Sequence, residues 1–408
     1  MSSSLDRRNF LRHLSSAGMT SAFAPLAFAA DNHGATAPLE QTAAVPSPDP
    51  VVPKTPVRFS VCGMSHDHIY GMVGAMQRGG ATLVAFFGEE PDKVAAFHTR
   101  FPEAQQAASE EAILGDPGTQ LVLSSTVASR RAPLGVRVMH HGKDFLSDKP
   151  GITTLEQLAE VRRAIAETGR TYAIMYSERL EVRAAVKAGD LVQSGAIGKV
   201  IQTINIAPHQ IEQPVHLAPG AHPDPHAGPA SRRPDWFWDP ELYGGILTDI
   251  GSHQVDQFLF YTGSTSADVV ESQVANVHHP QHPRFQDFGD MVLRGNRGLG
   301  YVRLDWFTPD GLGTWGDGRL FILGTEGYIE VRKYTNVAVN SRGNNLFLVD
   351  RTSARYLDCN NVPLPFGPQF VQDVLHRTHV AQDQTQCLLA AELVLKAQRD
   401  ARKVTLEA

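Results

Sequence analysis

An aspartate and a histidine four residues apart are the side chains in this chain best suited to chemistry. Asp249 and His253 lie one helical turn apart in LTDIGSHQVD, residues 247–256, so on a helix both side chains leave the same face. On that face a carboxylate can orient an imidazole that transfers protons near neutral pH. Asp256 joins them. The spacing therefore predicts an acid–base pair in which Asp249 orients His253.

A second candidate is a lysine that closes an apolar run. Residues 145–150 read FLSDKP, a strand-like segment that ends in Asp148, Lys149 and Pro150. A strand end of this kind leaves its polar residues at the edge of a sheet, where α/β proteins bind their ligands. Lys149 is therefore expected to meet a ligand there.

The two segments together resemble the signatures of the Gfo/Idh/MocA oxidoreductases, which are sugar and polyol dehydrogenases. These signatures are E-K-P at a strand end and G-G-x-x-x-D-x-G-x-H-x-x-D on a later helix, here begun by Gly244 and Gly245. The glycine pair is expected to let backbone approach a ligand closely. The resemblance implies that Lys149 hydrogen-bonds the reacting oxygen, that His253 accepts the hydroxyl proton, and that Asp256 contacts substrate. Asp148 replaces the family's glutamate.

The elements that must position these residues fall into two halves. Residues 57–176 alternate strand-like and helix-like runs, which predicts a Rossmann-type, doubly wound parallel sheet. Residues 177–383 hold strand runs broken by Gly and Asn, which favour an α+β domain with an open, largely antiparallel sheet. That domain is expected to bind substrate and to form oligomer contacts. Single helices are predicted over 178–188 and 248–261, and a C-terminal helix in 384–408 should pack on the first domain.

A dinucleotide-binding turn is expected after the first strand, where the fingerprint is G-x-G-x-x-G. Gly63 supplies the first glycine, but Ser65 and His68 replace the other two. Glu89 lies close to the position of the acid that binds the ribose. The resemblance implies tightly bound NAD or NADP, contacted by Gly63, Ser65, His66, His68, Glu89, Asp148, Lys149 and Pro150.

The histidines of that turn allow another hypothesis. His66 and His68 form a His-x-His pair in a loop at the carboxyl end of a strand. With His253 or another histidine they would have the residue types of a metal site. No third ligand is set by spacing, so plain polar loop residues remain the alternative.

A long irregular segment, residues 208–243, separates the halves. Loops of this length are usually functional or disordered. It carries several histidines and then Arg233, Trp236 and Trp238, which are expected to form a platform for a sugar. A loop held down by its tryptophans is the alternative interpretation.

The first thirty residues resemble a signal peptide for twin-arginine (Tat) export. Arg7 and Arg8 precede an uncharged, mildly apolar stretch and a small-x-small cleavage pattern that ends at Ala29. Residues 31–56 are rich in Ala, Pro, Thr and Ser, which predicts a linker or extended arm. Export by the Tat machinery to the periplasm is therefore expected, with no membrane segment in the mature form.

Composition and net charge narrow the class of ligand that the protein is expected to bind. The chain has 408 residues and a net charge of −6, which gives no electrostatic reason to bind nucleic acid. Three widely spaced cysteines, Cys62, Cys359 and Cys387, imply no disulfide framework. The sequence thus predicts a two-domain protein that binds a small-molecule ligand.

The leading hypothesis is an exported, homo-oligomeric oxidoreductase that acts on a sugar or polyol. Outside the cytoplasm no nicotinamide pool exchanges a released cofactor, so the cofactor should stay bound through each cycle. Two alternatives remain open. One is a nicotinamide-independent or metal-assisted lyase, hydratase or glycoside hydrolase, with His253 as base and Lys149 as electrophile. The other is a non-catalytic sugar-binding protein.

Overall fold

The computed structural model describes residues 40–42, 49, 52–211, 233–338 and 342–406. The predicted signal peptide lies outside the described residues. So do most of the predicted arm and the centre of the 208–243 loop, including His216, His222 and His226. Among the described residues, no helix is both long enough and apolar enough to span a bilayer.

The first half alternates strands and helices, as predicted. After a short strand, β1 (Glu40–Thr42), its elements are β2 (Arg58–Cys62), α1 (His68–Arg78), β3 (Thr82–Phe87), α2 (Pro91–Arg100), β4 (Gln105–Gln106), α3 (Glu110–Leu114), β5 (Leu121–Ser124), α4 (Ala128–His140), β6 (Asp144–Asp148), α5 (Leu155–Thr168) and β7 (Tyr172–Met175). Strands β2 to β7 form a parallel sheet in the order β4-β3-β2-β5-β6-β7. Strands β5, β6 and β7 are buried throughout, as expected when helices cover both faces. The predicted Rossmann-type sheet is confirmed.

The second half is built on a ten-stranded sheet. Its elements are α6 (Ser177–Leu180), α7 (Arg183–Gln193), β8 (Val200–Pro208), a 3₁₀ turn (Asp235–Trp238), α8 (Pro240–Tyr243), α9 (Ile246–Asp249), α10 (Gly251–Thr262), β9 (Ala267–Ala275), β10 (Phe288–Gly295), β11 (Leu299–Asp305), a 3₁₀ turn (Asp310–Leu312), β12 (Arg319–Gly324), β13 (Tyr328–Arg332), β14 (Asn345–Val349), β15 (Ala354–Asp358), α11 (Phe366–His376), α12 (Gln384–Asp400) and β16 (Arg402–Lys403). The strand order is β1-β15-β14-β13-β12-β8-β11-β10-β9-β16, and most neighbours run antiparallel. Alternate residues of β12 and β13 are buried, so one face of the sheet packs on the core.

Two predicted helices differ from those observed. The helix expected over 178–188 is divided into α6 and α7. The helix expected over 248–261 begins earlier, at Ile246, and is divided at Ile250 into α9 and α10. Ile250 keeps helical dihedrals, φ −71° and ψ −42°, so the chain direction continues and Asp249 remains one turn before His253.

The glycine pair before α9 packs closely against other parts of the protein. Gly244 and Gly245 have φ of +97° and +83°, a region that side chains disfavour. A Cβ on Gly245 would stand 2.3 Å from the side-chain amide carbon of Gln398 on α12. Gln398 in turn accepts a hydrogen bond from the Leu247 amide, so the turn fastens α9 to α12.

The two halves meet at one edge of the parallel sheet. Strands β2, β6 and β7 end there, and the second half contributes α9, α10 and the strand ends of its larger sheet. Helix α12 packs on β7 and α5 of the first half and on β9 and α10 of the second. This packing holds the two sheets on either side of a cavity.

Candidate active site

A cavity of about 610 Å³ lies where the two halves meet, a volume typical of small-molecule sites. The parallel-sheet half contributes residues that follow strand ends, and the second half contributes α9, α10 and loops after strands. The side chains that matter most for chemistry are His66, His68, Asp148, Lys149, Glu178, His209, Asp249, His253 and Lys333.

Lys149 is paired with Asp249 at the wall of this cavity. The Nζ of Lys149, directly after β6, donates to Oδ1 of Asp249 at 2.9 Å. Both side chains are largely buried. Burial raises the pKa of Asp249, but the Lys149 ammonium outweighs it and holds that pKa below its usual range. Asp249 therefore stays ionised, and its hydrogen bond holds the Lys149 side chain in place at the cavity.

His253 is therefore not hydrogen-bonded to Asp249, which corrects the pairing expected from their spacing. Its side chain is buried, and its Nδ1 has no hydrogen-bond partner among the described residues. Burial lowers the pKa of His253 to about 3, against the opposing charge of Glu178. The imidazole is thus neutral at physiological pH and has a lone pair to accept a proton.

Glu178 and Lys333 form a second buried ion pair, which the sequence analysis missed. Oε2 of Glu178 on α6 accepts from the Lys333 ammonium and from Nε2 of Gln254. Burial raises the pKa of Glu178, but the charge of Lys333 more than offsets this and lowers it. The two residues are 155 positions apart, so no local spacing rule could have joined them.

His66 and His68 both bond to the carboxylate that ends β6. Nδ1 of His66 lies 2.7 Å from Oδ2 of Asp148, and Nδ1 of His68 lies 2.9 Å from Oδ1. Burial is the main cause that lowers the pKa of His66 to about 4. Metal-ligating atoms of these three residues lie within 4.8 Å of one another. Arg131, however, lies 3.1 Å from Asp148 and already supplies its cationic partner.

Burial alone would raise the pKa of Asp148, but the Arg131 guanidinium keeps it well below its usual range. Asp148 therefore accepts hydrogen bonds as a carboxylate. Pro150 is buried, and a cis peptide bond joins Lys149 to Pro150.

The predicted dinucleotide turn has a glycine where one is required. Gly63 has φ +82°, and a Cβ there would stand 2.5 Å from Cβ of Thr126. Gly63 lines a second cavity of about 250 Å³ with Glu89 and Glu90. Ser65, where the fingerprint has its second glycine, donates from Oγ to Oε1 of Glu90 at 2.5 Å.

Glu89 and Arg130 form an exposed pair at 2.9 Å on the rim of this second cavity. Arg130 belongs to α4, and Glu89 follows β3. Carboxylates at the end of this strand are placed to accept hydrogen bonds from hydroxyls.

The aromatic segment is only partly at the cavity. Trp236 lines it, and so does Arg233. The Arg233 guanidinium donates to the carbonyls of Gln210 and Ile211. Trp238 does not line the cavity; it stacks on His282 with ring centroids 3.9 Å apart. Trp238 therefore anchors the segment, while Trp236 is the residue available to a ligand.

Other aromatic rings reach the cavity from the larger sheet. His209 follows β8, is buried, and packs between the rings of Trp306 and Trp315 at 5.3 and 4.6 Å. Burial lowers the pKa of His209 to about 4. Trp306, Trp315 and Tyr334 line the same wall, far from any sequence motif.

Asp256 has a structural position, contrary to the substrate contact inferred from sequence. Its two oxygens accept from Nε and NH2 of Arg179 at 2.5 and 3.0 Å, and both side chains are buried. The Arg179 guanidinium also lies 4.4 Å from the Phe260 ring centroid. Asp256 thus joins α10 to α6 and does not line the cavity.

Comparison with known proteins agrees with this architecture. The profile of the GFO/IDH/MocA C-terminal domain matches residues 185–330. A crystal structure of a protein from Erwinia carotovora atroseptica SCRI1043, classed as an oxidoreductase, is 44% identical. It superposes with a TM-score of 0.78, and the alignment covers 86% of this chain and 100% of that one. The chain belongs to the Gfo/Idh/MocA oxidoreductases.

More distant members of this fold include carbohydrate enzymes. The 1,5-anhydro-D-fructose reductase of Ensifer adhaerens is 26% identical over 215 residues, or 52% of this chain, and the match spans 59% of that reductase. A 3-ketoreductase from Actinomadura kijaniata, crystallised with NADP and TDP-benzene, superposes with a TM-score of 0.65 at 17% identity. That alignment covers 86% of this chain and all of the ketoreductase. The ketoreductase likeness establishes the fold alone.

Within this Gfo/Idh/MocA chain, the structure brings together most of the residues proposed from sequence. Lys149, Asp249 and His253 line one cavity, and His66 and His68 line it too. Glu178 and Lys333 carried no sequence signal beyond being charged residues next to apolar segments.

Proposed function

We propose that this protein is an NAD(P)-dependent oxidoreductase that interconverts a hydroxyl and a carbonyl group on a neutral sugar or polyol. One observation carries the proposal. The fixed ammonium of Lys149 and the neutral imidazole of His253 come from different halves of the chain and line the same cavity. A cation next to a buried neutral base suits a reaction in which an oxygen gains charge as its proton leaves.

The residues at the sheet edge fit a dinucleotide. Gly63 leaves the turn without a side chain, and the smaller cavity it lines lies at the carboxyl ends of β2, β3 and β5, where such folds bind nucleotides. Glu89 and Glu90 offer carboxylates to ribose hydroxyls. The Ser65–Glu90 hydrogen bond joins the two cavities, since Ser65 lines one and Glu90 the other. Cofactor binding along this edge would therefore rearrange that bond.

A nicotinamide bound here would supply the hydride acceptor for oxidation and the donor for reduction. Lys149 donates a hydrogen bond to the reacting oxygen, and Asp249 holds Lys149 in place. His253 accepts the hydroxyl proton during oxidation and returns it during reduction. Trp236 offers a flat apolar face to the sugar.

The charges around the cavity favour a neutral substrate. Four ion pairs, Lys93–Asp67, Arg131–Asp148, Lys149–Asp249 and Lys333–Glu178, balance one another along its wall. Glu181, Arg233 and Arg342 also line the cavity, so its lining holds five acidic and six basic side chains and no large surplus of either sign. The 1,5-anhydro-D-fructose reductase named above supports a sugar as the substrate.

The first test is whether the protein binds nicotinamide. Freshly purified protein that retains its cofactor should show the nicotinamide absorbance band. Protein without cofactor should instead show quenched tryptophan fluorescence when it is titrated with NAD or NADP. His253→Ala should then lower turnover on an active sugar by roughly 10²–10⁴-fold, with cofactor binding unchanged. Protein that carries no nicotinamide and gains none on incubation would contradict the proposal.

A metal-assisted lyase, hydratase or hydrolase is the second candidate. The observation that favours it is the cluster of His66, His68 and Asp148. Elemental analysis separates the two functions: stoichiometric metal, with activity lost to a chelator and to His68→Gly, would support the lyase or hydrolase. A sugar that binds without turnover in either test would support a binding protein.

We also propose that the protein is exported folded by the twin-arginine pathway and works in the periplasm with its cofactor retained. Arg7 and Arg8 are the support for this. Replacing both with lysine should leave the protein inside the cell, and unchanged export of that variant would refute the proposal. The open face of the larger sheet is the surface we propose for homo-oligomer contacts.

A further inference from the structure

Buried polar atoms without a hydrogen-bond partner among the described residues lie near the candidate base. Two of them are Nδ1 of His253 and Oε1 of Glu178, and Oε1 of Gln257, one turn beyond His253, is a third. His253 and Glu178 both line the cavity, and their side chains are 2% and 3% exposed. Buried polar atoms nearly always find a partner in native proteins. A donor and an acceptor left over in the same region therefore suggest a missing link between them.

Glu178 is already fixed to the helix that carries His253. Its other oxygen, Oε2, accepts from Nε2 of Gln254 at 3.0 Å, and Gln254 follows His253 on α10. Gln257, one turn on, donates to Oε1 of Gln254 and to the His253 carbonyl. The Lys333 ammonium completes the set of donors around Oε2. The carboxylate is thus oriented with one oxygen occupied and one free.

We propose that Glu178, and not Asp249, is the positioning residue for His253. Its free Oε1 accepts the Nδ1–H of the imidazole, directly after a small ring rotation or through one water. This fixes the tautomer in which Nε2 carries the lone pair. The inference rests on the proposed function, in which His253 is the base.

The charged groups around His253 support this assignment. Lys149 follows β6, His68 begins α1 and Lys333 follows β13, and each of these lowers the pKa of His253. Glu178 is the group that raises it most, second only to burial in its effect. The Tyr176 ring meets the imidazole edge-on at 6.4 Å.

The two carboxylates on the helical segments of His253 itself are engaged elsewhere. Asp249 is bonded to Lys149, and Asp256 is bonded to Arg179. Glu178 differs from both, because its second oxygen is buried without a partner among the described residues and its charge acts on the imidazole more strongly than that of any other group.

The test is the tautomer of His253, measured by nitrogen-15 NMR on the full chain labelled at histidine. The signal is assigned from its loss in His253→Gln. Wild type should show Nδ1 protonated and Nε2 unprotonated at pH 7. In Glu178→Gln the amide oxygen must face Lys333 and Gln254, which are both donors, so the amide NH2 points at Nδ1. Nδ1 must then accept, and the proton should move to Nε2.

The matched control is Asp249→Asn, another change of carboxylate to amide, which should leave the tautomer as in wild type. Glu178→Gln also leaves Lys333 without its anionic partner. If that variant does not fold, Glu178→Gln with Lys333→Met removes both charges, and the same inversion is expected because Gln254 still donates. An unchanged tautomer in the Glu178 variants, or an inversion in Asp249→Asn, would overturn the proposal.

Turnover provides a second measurement. With the proton on Nε2, His253 cannot accept the substrate proton, so kcat should fall by roughly 10²–10⁴-fold while KM changes little. The NMR result does not depend on substrate or cofactor. If the tautomer behaves as expected but the protein binds no nicotinamide, the oxidoreductase proposal is refuted and the assignment of Glu178 as the positioning residue stands.

Discussion

Buried neutral histidines should make this protein lose stability between pH 8 and pH 5. His253 and His209 are 2% and 9% exposed, and burial lowers their pKa values to about 3 and about 4. In the unfolded chain an imidazole has a pKa of about 6.5. Between these values the unfolded state binds more protons than the folded state. Stability is therefore full above pH 6.5 and is lost as pH falls toward the folded pKa values.

The size of the effect follows from the same values. At pH 5 an unfolded imidazole is about 1.5 pH units below its pKa, which favours unfolding by about 2 kcal/mol per residue, while both folded imidazoles remain almost entirely neutral. These two residues together should cost about 4 kcal/mol between pH 8 and pH 5, and His66, whose pKa is also lowered to about 4, adds to the loss in the same direction. Carboxylates with lowered pKa, such as Asp148 and Glu178, lose their contribution only at lower pH.

The measurement is urea unfolding of wild type and His253→Gln at pH 8 and pH 5. The variant should lose about 2 kcal/mol less stability across this range than wild type, because one titrating imidazole is gone. Effects from carboxylates with raised pKa, such as Glu181 and Asp305, cancel in the comparison. His98→Gln, at an exposed position, is the matched control and should behave as wild type. Equal pH dependence in wild type and His253→Gln would refute a buried neutral imidazole at this site.

Gly63→Ala should weaken both folding and dinucleotide binding, because the new Cβ would lie 2.5 Å from Cβ of Thr126 at a φ of +82°. Calorimetric titration should show partial rescue by Thr126→Gly and none by Thr126→Ala, which keeps the clashing atom. Asp256→Asn should lower the free energy of unfolding by roughly 3–5 kcal/mol, since Arg179 stays buried without its anion. Ligand affinity should hardly change in this variant. A large rise in KM would instead support the substrate contact expected from sequence for Asp256. Ser65→Gly should tighten NAD binding by removing the hydroxyl bonded to Glu90, and weaker binding would count against a pyrophosphate at this turn.

The parallel-sheet half was predictable because its signals are local. Helix α5 begins after Thr154, whose side chain caps the Gln157 amide, and ends at Gly169 with φ +63°. Both ends are visible in the sequence as an N-cap residue and a left-handed glycine. The buried strands between such helices are continuous apolar runs. The same signals are weak in β14 and β15, which the sequence analysis did not predict.

The identity of the candidate site residues was also predictable, but their pairing was not. The spacing of Asp249 and His253 does place them one turn apart on one side of a helix. A neutral imidazole, however, attracts a carboxylate less than an ammonium does. Lys149 comes from a strand end 100 positions away and takes the carboxylate. Helical spacing thus predicts proximity, and the competing charges decide the bond.

The same competition accounts for the other corrections. Asp256 lies on the predicted face, but Arg179 binds both of its oxygens. Asp148 is bonded to Arg131 and to two histidines at the same time. Asp148, Asp249 and Asp256 are each bonded to a cation from a distant segment, because a buried charge is tolerated only when paired. Nδ1 of His253 is left without a partner among the described residues, so Glu178, a carboxylate that no motif marks, becomes the group best placed to control the base.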